Sequence, residues 1–140
     1  MLFGGEHANG ALGDTWVYDY AATTWMLMDP RNPPGPRDHA LMAYDSHAKG
    51  VMLIGGSFDD DRFFIYRHRE NEWHAVNPSG DLPVVGDHMQ GASNGTDFVI
   101  YGGFRGGPGP QRSLGAPARF KLRLTLPRRQ VVKLVSSLLQ

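Results

Sequence analysis

Cysteine is absent from the 140 residues of this chain. Its absence excludes a disulfide, a thiolate metal site and a cysteine nucleophile. No apolar run approaches the roughly 20 residues that a membrane helix needs. No basic segment followed by an apolar run opens the chain, so no signal peptide is visible. With neither a signal peptide nor a cysteine, the cytoplasm is the expected compartment, and no membrane partner is expected.

Charge is balanced in total but divided unevenly along the chain. Residues 1–104 hold all 14 acidic side chains and six basic ones, a formal charge of −8, whereas residues 105–140 hold eight basic side chains and no acid, a charge of +8. This shift predicts a boundary near Arg105, between a repeat region (1–104) and a basic Gly- and Pro-rich linker and tail (105–140). Because phosphate binding needs clustered Lys and Arg, the acidic region argues against a nucleic-acid partner.

Three short apolar stretches are each followed by a pair of glycines. They are residues 1–3 before Gly4-Gly5, residues 51–54 before Gly55-Gly56, and residues 98–101 before Gly102-Gly103. The pair therefore recurs after 51 and then 47 residues, and a repeat of that period indicates an array, propeller or solenoid. The apolar stretches predict buried strands. The glycines predict close packing of the backbone between neighbouring units.

The repeat extends beyond the glycines. Tyr18 and Trp25 recur 48 residues later as Tyr66 and Trp73, and His39 recurs 49 residues later as His88. This order of strand, diglycine, loop, Tyr strand, Trp strand and Asp-His segment resembles the kelch repeat, over residues 1 to about 104. Kelch repeats form the four-stranded blades of β-propellers, and the recurring aromatic rings are predicted to pack between blades.

Turn signals and alternation place the individual strands. The predicted strands are residues 1–5, 14–20 and 24–28 in the first unit, 38–44, 50–55, 62–67 and 72–76 in the second, and 87–92 and 97–101 in the third. Residues 6–13 are predicted to form a loop, residues 29–36 a Pro-rich link that cannot pair as a central strand, and Asn94-Gly95 a turn. In the tail, residues 120–126 alternate as a strand does, and helical spacing after Pro127 predicts a short amphipathic helix.

The resulting fold is all-β, an incomplete kelch-type β-propeller of about two and a half four-stranded antiparallel blades with a basic C-terminal tail. Closed propellers have about four to eight blades, so this number does not close a ring. We expect the chain to be a fragment of a longer kelch protein whose remaining blades complete the ring. The alternative is self-association with other copies.

The kelch resemblance implies a protein-interaction module that binds a protein partner through the loops at one end of the blades. Transferred to this chain, the implied partner-binding residues are Glu6, His7, Asn9, Arg37, Asp38, His39, Phe58, Asp59, Asp60, Asp61, Asp87 and His88. Loops on a rigid scaffold are where binding usually resides. No cofactor and no catalytic residue is expected.

The alternative function is a metal-dependent enzyme or lyase on a kelch-type propeller. His39 and His88 occupy equivalent places and could lie side by side as metal ligands, or each could satisfy a backbone group in its own blade. The run Asp59-Asp60-Asp61 could bind calcium or, as we favour, contact a basic partner. The copper chemistry of galactose oxidase, a kelch-type enzyme, needs a Cys cross-linked to a Tyr, which this chain lacks.

Overall fold

A computed structural model of the chain describes residues 1–56, 60, 62–76, 86–93, 98–105, 112–113 and 118–120. Every regular element in these residues is a strand and every strand pair is antiparallel, which confirms the all-β prediction. The strands are β1 (Leu2–His7), β2 (Gly10–Asp19), β3 (Thr24–Met28), β4 (Leu41–Asp45), β5 (Gly50–Ile54), β6 (Phe63–Arg67), β7 (Glu72–Val76), β8 (Gln90–Ser93), β9 (Phe98–Tyr101), β10 (Phe104–Arg105), β11 (Arg112–Ser113) and β12 (Ala118–Phe120). None of the described residues belongs to a helix that could cross a membrane.

The strands form three larger sheets in chain order. The first sheet has the order β1-β2-β3, the second β4-β5-β6-β7 and the third β12-β9-β8, while β10 and β11 pair separately. All four strands predicted for the second unit are present, within three residues of their predicted starts. Turns of two to four residues join β1 to β2, β2 to β3, β4 to β5 and β6 to β7, because antiparallel neighbours need only a hairpin connection.

The predicted loop over residues 6–13 is wrong. β1 continues to His7 and β2 begins at Gly10, so a two-residue turn at Ala8 and Asn9 joins two strands. At the first diglycine, the pairing of β1 with β2 shifts in register between Phe3 and Gly5. The diglycine therefore interrupts the pairing of β1 without ending it, whereas β5 and β9 do end before their diglycines.

The third sheet is completed from the tail region. β12 pairs with β9, with Ala118 opposite Ile100 and Phe120 opposite Phe98. β12 begins two residues before the predicted tail strand, 120–126, and shares Phe120 with it. The turn at Asn94-Gly95, residues 121–126 and the helix predicted after Pro127 lie outside the described residues.

Two apolar clusters lie on opposite sides of the second sheet. The cluster shared with the first sheet is built from Phe3, Leu53, Phe64, Tyr66 and Trp73. The cluster shared with the third sheet is built from Ala48, Met52, Ile54, Phe63, Ile65, Met89 and Ile100. A strand buried on both faces needs apolar residues without strict alternation, which explains the continuous apolar run 51–54.

The recurring tryptophans differ in burial. Trp73 is 1% exposed, with its ring edge-on to Phe3 at 5.0 Å and its Nε1 donating to Thr15 Oγ1 at 3.1 Å. Trp25, its equivalent in the first sheet, is 50% exposed. The predicted packing role is correct for Trp73 and wrong for Trp25, because the described chain places no sheet against that face of the first sheet.

The Pro-rich link after β3 pairs along the outer edge of the second sheet. Arg31 forms a parallel bridge with Glu72: its N–H donates to Asn71 O at 3.0 Å, and its carbonyl accepts from Trp73 N at 3.0 Å. Its side chain also pairs with Glu72 at 2.5 Å. An edge position is the one that a Pro-containing segment can occupy.

Candidate functional site

Residues 37–39 and 87–88 enter the second and third sheets beside the diglycines that follow β5 and β9. A Cβ on Gly56 would lie 2.3 Å from Asp38 O, and a Cβ on Gly103 would lie 2.7 Å from Asp87 O. No side chain fits either distance, so the glycines allow the chain to pass there. The contacts of Gly56 and Gly103 each lie within one unit. The predicted packing between units is seen at Gly4, where an added Cβ would lie 2.3 Å from Arg37 O in the next unit.

His39 and His88 stack on each other across the second and third sheets. Their ring centroids are 3.7 Å apart and their planes differ by 21°. Both backbones are left-handed, with φ of 51° and 55°, a conformation in which His is enriched among residues other than Gly. Their equivalent positions in the repeat predicted that the two rings could lie side by side, and they do. Ring nitrogen lone pairs lie in the ring planes, so near-parallel rings do not point them at one tetrahedral metal ion.

Two carboxylates accompany the stacked rings. Asp38 Oδ2 lies 3.0 Å from His39 Nδ1. Asp87 is 6% exposed, and its Oδ1 is buried without a hydrogen-bond partner. Burial, followed by the nearby charge of Asp38, raises the pKa of Asp87, while His88 and His39 oppose this rise. We name Asp38, His39, Asp87 and His88 the Asp-His cluster.

Changing Asp87→Asn should stabilise the fold at neutral pH by roughly 1 kcal/mol, because a buried carboxylate oxygen without a partner is costly. The raised pKa means that the folded chain holds the proton of this carboxyl more tightly than the unfolded chain does. The contribution of Asp87 to wild-type stability should therefore be most favourable below its ordinary pKa of 3.8 and become less favourable as pH rises through the raised pKa. Urea denaturation at pH 7 and pH 3 checks this, since the difference between variant and wild type should shrink at pH 3.

A matched control for that change is Asp45→Asn. Asp45 is also buried, at 2% exposed, but its Oδ1 accepts from His47 N at 2.8 Å and Ala48 N at 2.9 Å. Removing a charge that is already hydrogen-bonded should not stabilise the fold. An equal gain in both variants would contradict the reading of Asp87 as an unsatisfied carboxylate.

Arg37 lies inside the fold and not on the predicted binding surface. It is 1% exposed, and its guanidinium donates to Gly35 O at 3.1 Å, Gly55 O at 3.1 Å and Asp60 Oδ2 at 2.9 Å. The guanidinium carbon also lies 4.9 Å from the centre of the Phe64 ring. All of these acceptors belong to the chain itself. Arg37 therefore holds Gly35, Gly55 and Asp60 together, and its buried guanidinium does not face a partner protein.

Asp60 is paired within the chain as well. It accepts from Arg62 Nε at 2.8 Å, Arg62 Nη2 at 3.1 Å and the Arg62 backbone N–H at 3.1 Å, in addition to Arg37. These bonds, led by the Arg62 side chain, lower the pKa of Asp60 to about 2, while burial opposes them. The Asp60 carboxylate, in the middle of the acidic run, is therefore shared by two arginines of the chain, Arg37 and Arg62.

The other predicted binding residues lie nearby or are not described. Glu6, His7 and Asn9 are exposed at the tip of the β1–β2 hairpin. That tip continues from the point where Gly5 N–H donates to Arg37 O at 3.0 Å, so it lies at the same end of the sheets as Arg37. Phe58, Asp59 and Asp61 lie outside the described residues.

One trio of potential metal donors, missed by the sequence reasoning, lies at the opposite end of the second sheet. Donor atoms of Glu70, Glu72 and His74 fall within 4.8 Å of one another, which makes them the one grouping of this kind in the described part of the chain. Residues two apart on a strand share a face. The sequence could therefore have predicted that Glu72 and His74 lie side by side on β7. Arg31 pairs with Glu72 at 2.5 Å and Arg67 with Glu70 at 3.2 Å, so both carboxylates already have cationic partners.

Residues 91–95 spell Gly-Ala-Ser-Asn-Gly, which matches a G-x-S-x-G pattern. In hydrolases that pattern presents its Ser on a sharp strand-to-helix turn. Here Ser93 ends β8 and pairs with Phe98 of β9, the next strand. Because the next described element is a strand and not the required helix, the pattern does not indicate a nucleophile.

Comparison with known proteins relates one segment of the chain to a much longer protein. No protein-family model matches the sequence. Human Multiple epidermal growth factor-like domains protein 8 is 37% identical to it over 60 residues. The match covers 42% of this chain and spans 2% of that protein's length. It is a similarity of one segment, and it assigns no family to the chain as a whole.

Proposed function

We propose that this chain is a protein-interaction module, an incomplete kelch-type propeller of about two and a half blades, and that it binds a basic segment of a partner protein at the Asp-His cluster. Equivalent residues at 48- and 49-residue spacing support the repeat, as do three consecutive antiparallel sheets. The observation that carries the binding proposal is the pair of carboxylates beside two exposed, stacked imidazole rings.

An arginine side chain fits the chemistry of this cluster. A guanidinium stacks on aromatic faces and pairs with carboxylates in one planar group. Asp38 is half-buried and both histidine rings are accessible, so a partner can approach them from solvent. The repeat region as a whole carries a formal charge of −8, which would steer a basic segment towards it.

The test is binding of a fluorescently labelled hexa-arginine peptide, measured by anisotropy at two salt concentrations. Asp38→Asn should weaken binding by about tenfold, since a hydrogen bond to a charged group contributes about 1.5–3 kcal/mol. Added salt should weaken binding of the wild type as well.

Asp29→Asn is the matched control. Asp29 is exposed at the opposite end of the sheets, where its carbonyl accepts from Asn71 Nδ2 at 2.9 Å. The two variants change the net charge equally, so diffuse attraction would weaken binding equally in both. Equal losses, or no binding by the wild type, would contradict the assigned surface.

A further inference from the structure

Each sheet of the repeat has two apolar faces. We call the face towards the preceding sheet in the chain the upstream face, and the face towards the following sheet the downstream face. The upstream face of the second sheet carries Leu53, Phe64, Tyr66 and Trp73 and packs on the first sheet. The downstream face of the first sheet, which receives it, carries Met1, Phe3 and Val17, with Thr15 accepting from the Trp73 indole. One kind of junction therefore joins the upstream face of a sheet to the downstream face of the sheet before it.

The upstream face of the first sheet has equivalent residues but no neighbour among the described residues. Cross-strand pairing puts Leu2, Trp16 and Leu27 in one row and Tyr18 and Trp25 in the next. Leu2, Trp25 and Leu27 are 44%, 50% and 61% exposed. At the repeat spacing, Leu2, Trp16, Tyr18 and Trp25 correspond to Leu53, Phe64, Tyr66 and Trp73, the residues that form the buried junction.

The downstream face of the third sheet is the complementary open surface. Ile100 faces the second sheet and is 3% exposed, whereas Val99 and Tyr101, on the other face of β9, are 43% and 54% exposed. At the repeat spacing Val99 and Tyr101 correspond to Met52 and Ile54, which the second sheet buries against the third. The chain thus exposes one face of each kind.

We propose that two copies of this chain bind head to tail, the upstream face of the first sheet in one copy packing on the downstream face of the third sheet in the other. Each junction would repeat the contact already present between the first and second sheets. Two copies supply six larger sheets, a number within the range of closed propellers, so both open faces of each copy would be covered. A head-to-tail junction that closes after two steps gives a finite ring.

The composition of the two faces favours a second copy over a charged partner. Leu2, Trp16, Tyr18, Trp25 and Leu27 carry no charge, and neither do Val99 and Tyr101. The charged residues on these faces are Asp14, whose carboxylate accepts from Trp16 Nε1, and Arg119, which pairs with Val99. An apolar surface of this extent is costly to leave in water, and an apolar face is what it would bind. Association should therefore resist added salt, unlike binding at the Asp-His cluster.

The experiment is the molar mass of the full chain by light scattering after size exclusion, with Leu27→Lys and Tyr101→Lys as face variants. Wild type should have twice the monomer mass, and each variant should be a monomer because a lysine charge would be buried at the junction. Tyr44→Lys is the matched control: Tyr44 is 58% exposed but belongs to the second sheet, so the variant should stay dimeric.

Mixing the two face variants distinguishes this junction from other dimers. Leu27→Lys retains an intact downstream face and Tyr101→Lys an intact upstream face, so the mixture should regain one junction and twice the monomer mass. Leu2→Lys replaces Leu27→Lys if the latter fails to fold by circular dichroism. A wild type that is monomeric at about 100 μM, where a micromolar junction would be nearly saturated, overturns the proposal. A dimer that survives both face variants overturns it too.

Discussion

Replacing Trp73 by alanine is expected to lower the free energy of unfolding by about 3–5 kcal/mol, the range for a buried tryptophan. Its ring fills the junction between the first two sheets, against Phe3 at 5.0 Å and Tyr66 at 5.2 Å. The change would also leave the buried Thr15 hydroxyl without the indole donor 3.1 Å away. Urea denaturation followed by circular dichroism measures the loss.

Trp25→Ala is the matched control, because Trp25 has the same position in the preceding repeat but is 50% exposed. In dilute solution, where a second copy does not cover it, the change should cost less than about 1 kcal/mol. The comparison isolates burial from residue type. Equal costs for the two tryptophans would contradict the exposed position of Trp25.

Replacing Arg37 by alanine is expected to cost about 3–5 kcal/mol, as removal of one partner of a buried ion pair does. The change would remove a donor from Gly55 O and from Asp60, and a cation from the face of Phe64. Because these contacts hold the end of β5, the loss should be visible in the midpoint of thermal unfolding as well as in urea.

Arg62→Ala provides the comparison, since Arg62 binds the same carboxylate from a side chain that is 60% exposed. It should cost less than about 1 kcal/mol, the usual range for an exposed pair. Asp60 has a pKa of about 2 against an ordinary 3.8, so its contribution is present above pH 3.8 and lost as pH falls towards 2.

The two arginine variants should differ in their pH profiles. The Arg62 side chain is the leading cause of the lowered pKa of Asp60, so Arg62→Ala should flatten the acid dependence between pH 4 and pH 2. Arg37→Ala should instead lower stability across the whole range, because its buried contacts with Gly55 and Phe64 do not depend on that proton. Identical pH profiles for the two variants would contradict the different roles assigned to the buried Arg37 and the exposed Arg62.

Local pattern determined much of the fold. The second sheet follows from turn signals and from apolar strands of the right length, and its four strands lie close to their predicted bounds. The loop predicted over residues 6–13 was wrong because its Gly and Asn residues are equally compatible with a two-residue turn between long strands. Composition alone does not separate those two structures.

The candidate site depended on contacts that a repeat pattern does not specify. Equivalent spacing suggested that His39 and His88 could be neighbours, but it specified neither the stacking of the rings nor the left-handed backbone at both positions. The kelch resemblance placed Arg37 among the partner-binding loops, yet three acceptors around it fix the guanidinium inside. Burial of Trp25 depends on a neighbouring sheet, which residue type does not reveal.

The bridge between Arg31 and Glu72 also bears on aggregation. It occupies the outer edge of β7, so the backbone groups of that edge strand are less available to template another chain. β3 holds the same position in the first sheet, and no equivalent bridge covers it among the described residues. Its sequence, Thr24–Met28, is apolar apart from its first residue and has neither charge nor proline. That edge is where intermolecular strand pairing should begin when the protein is concentrated or partly unfolded.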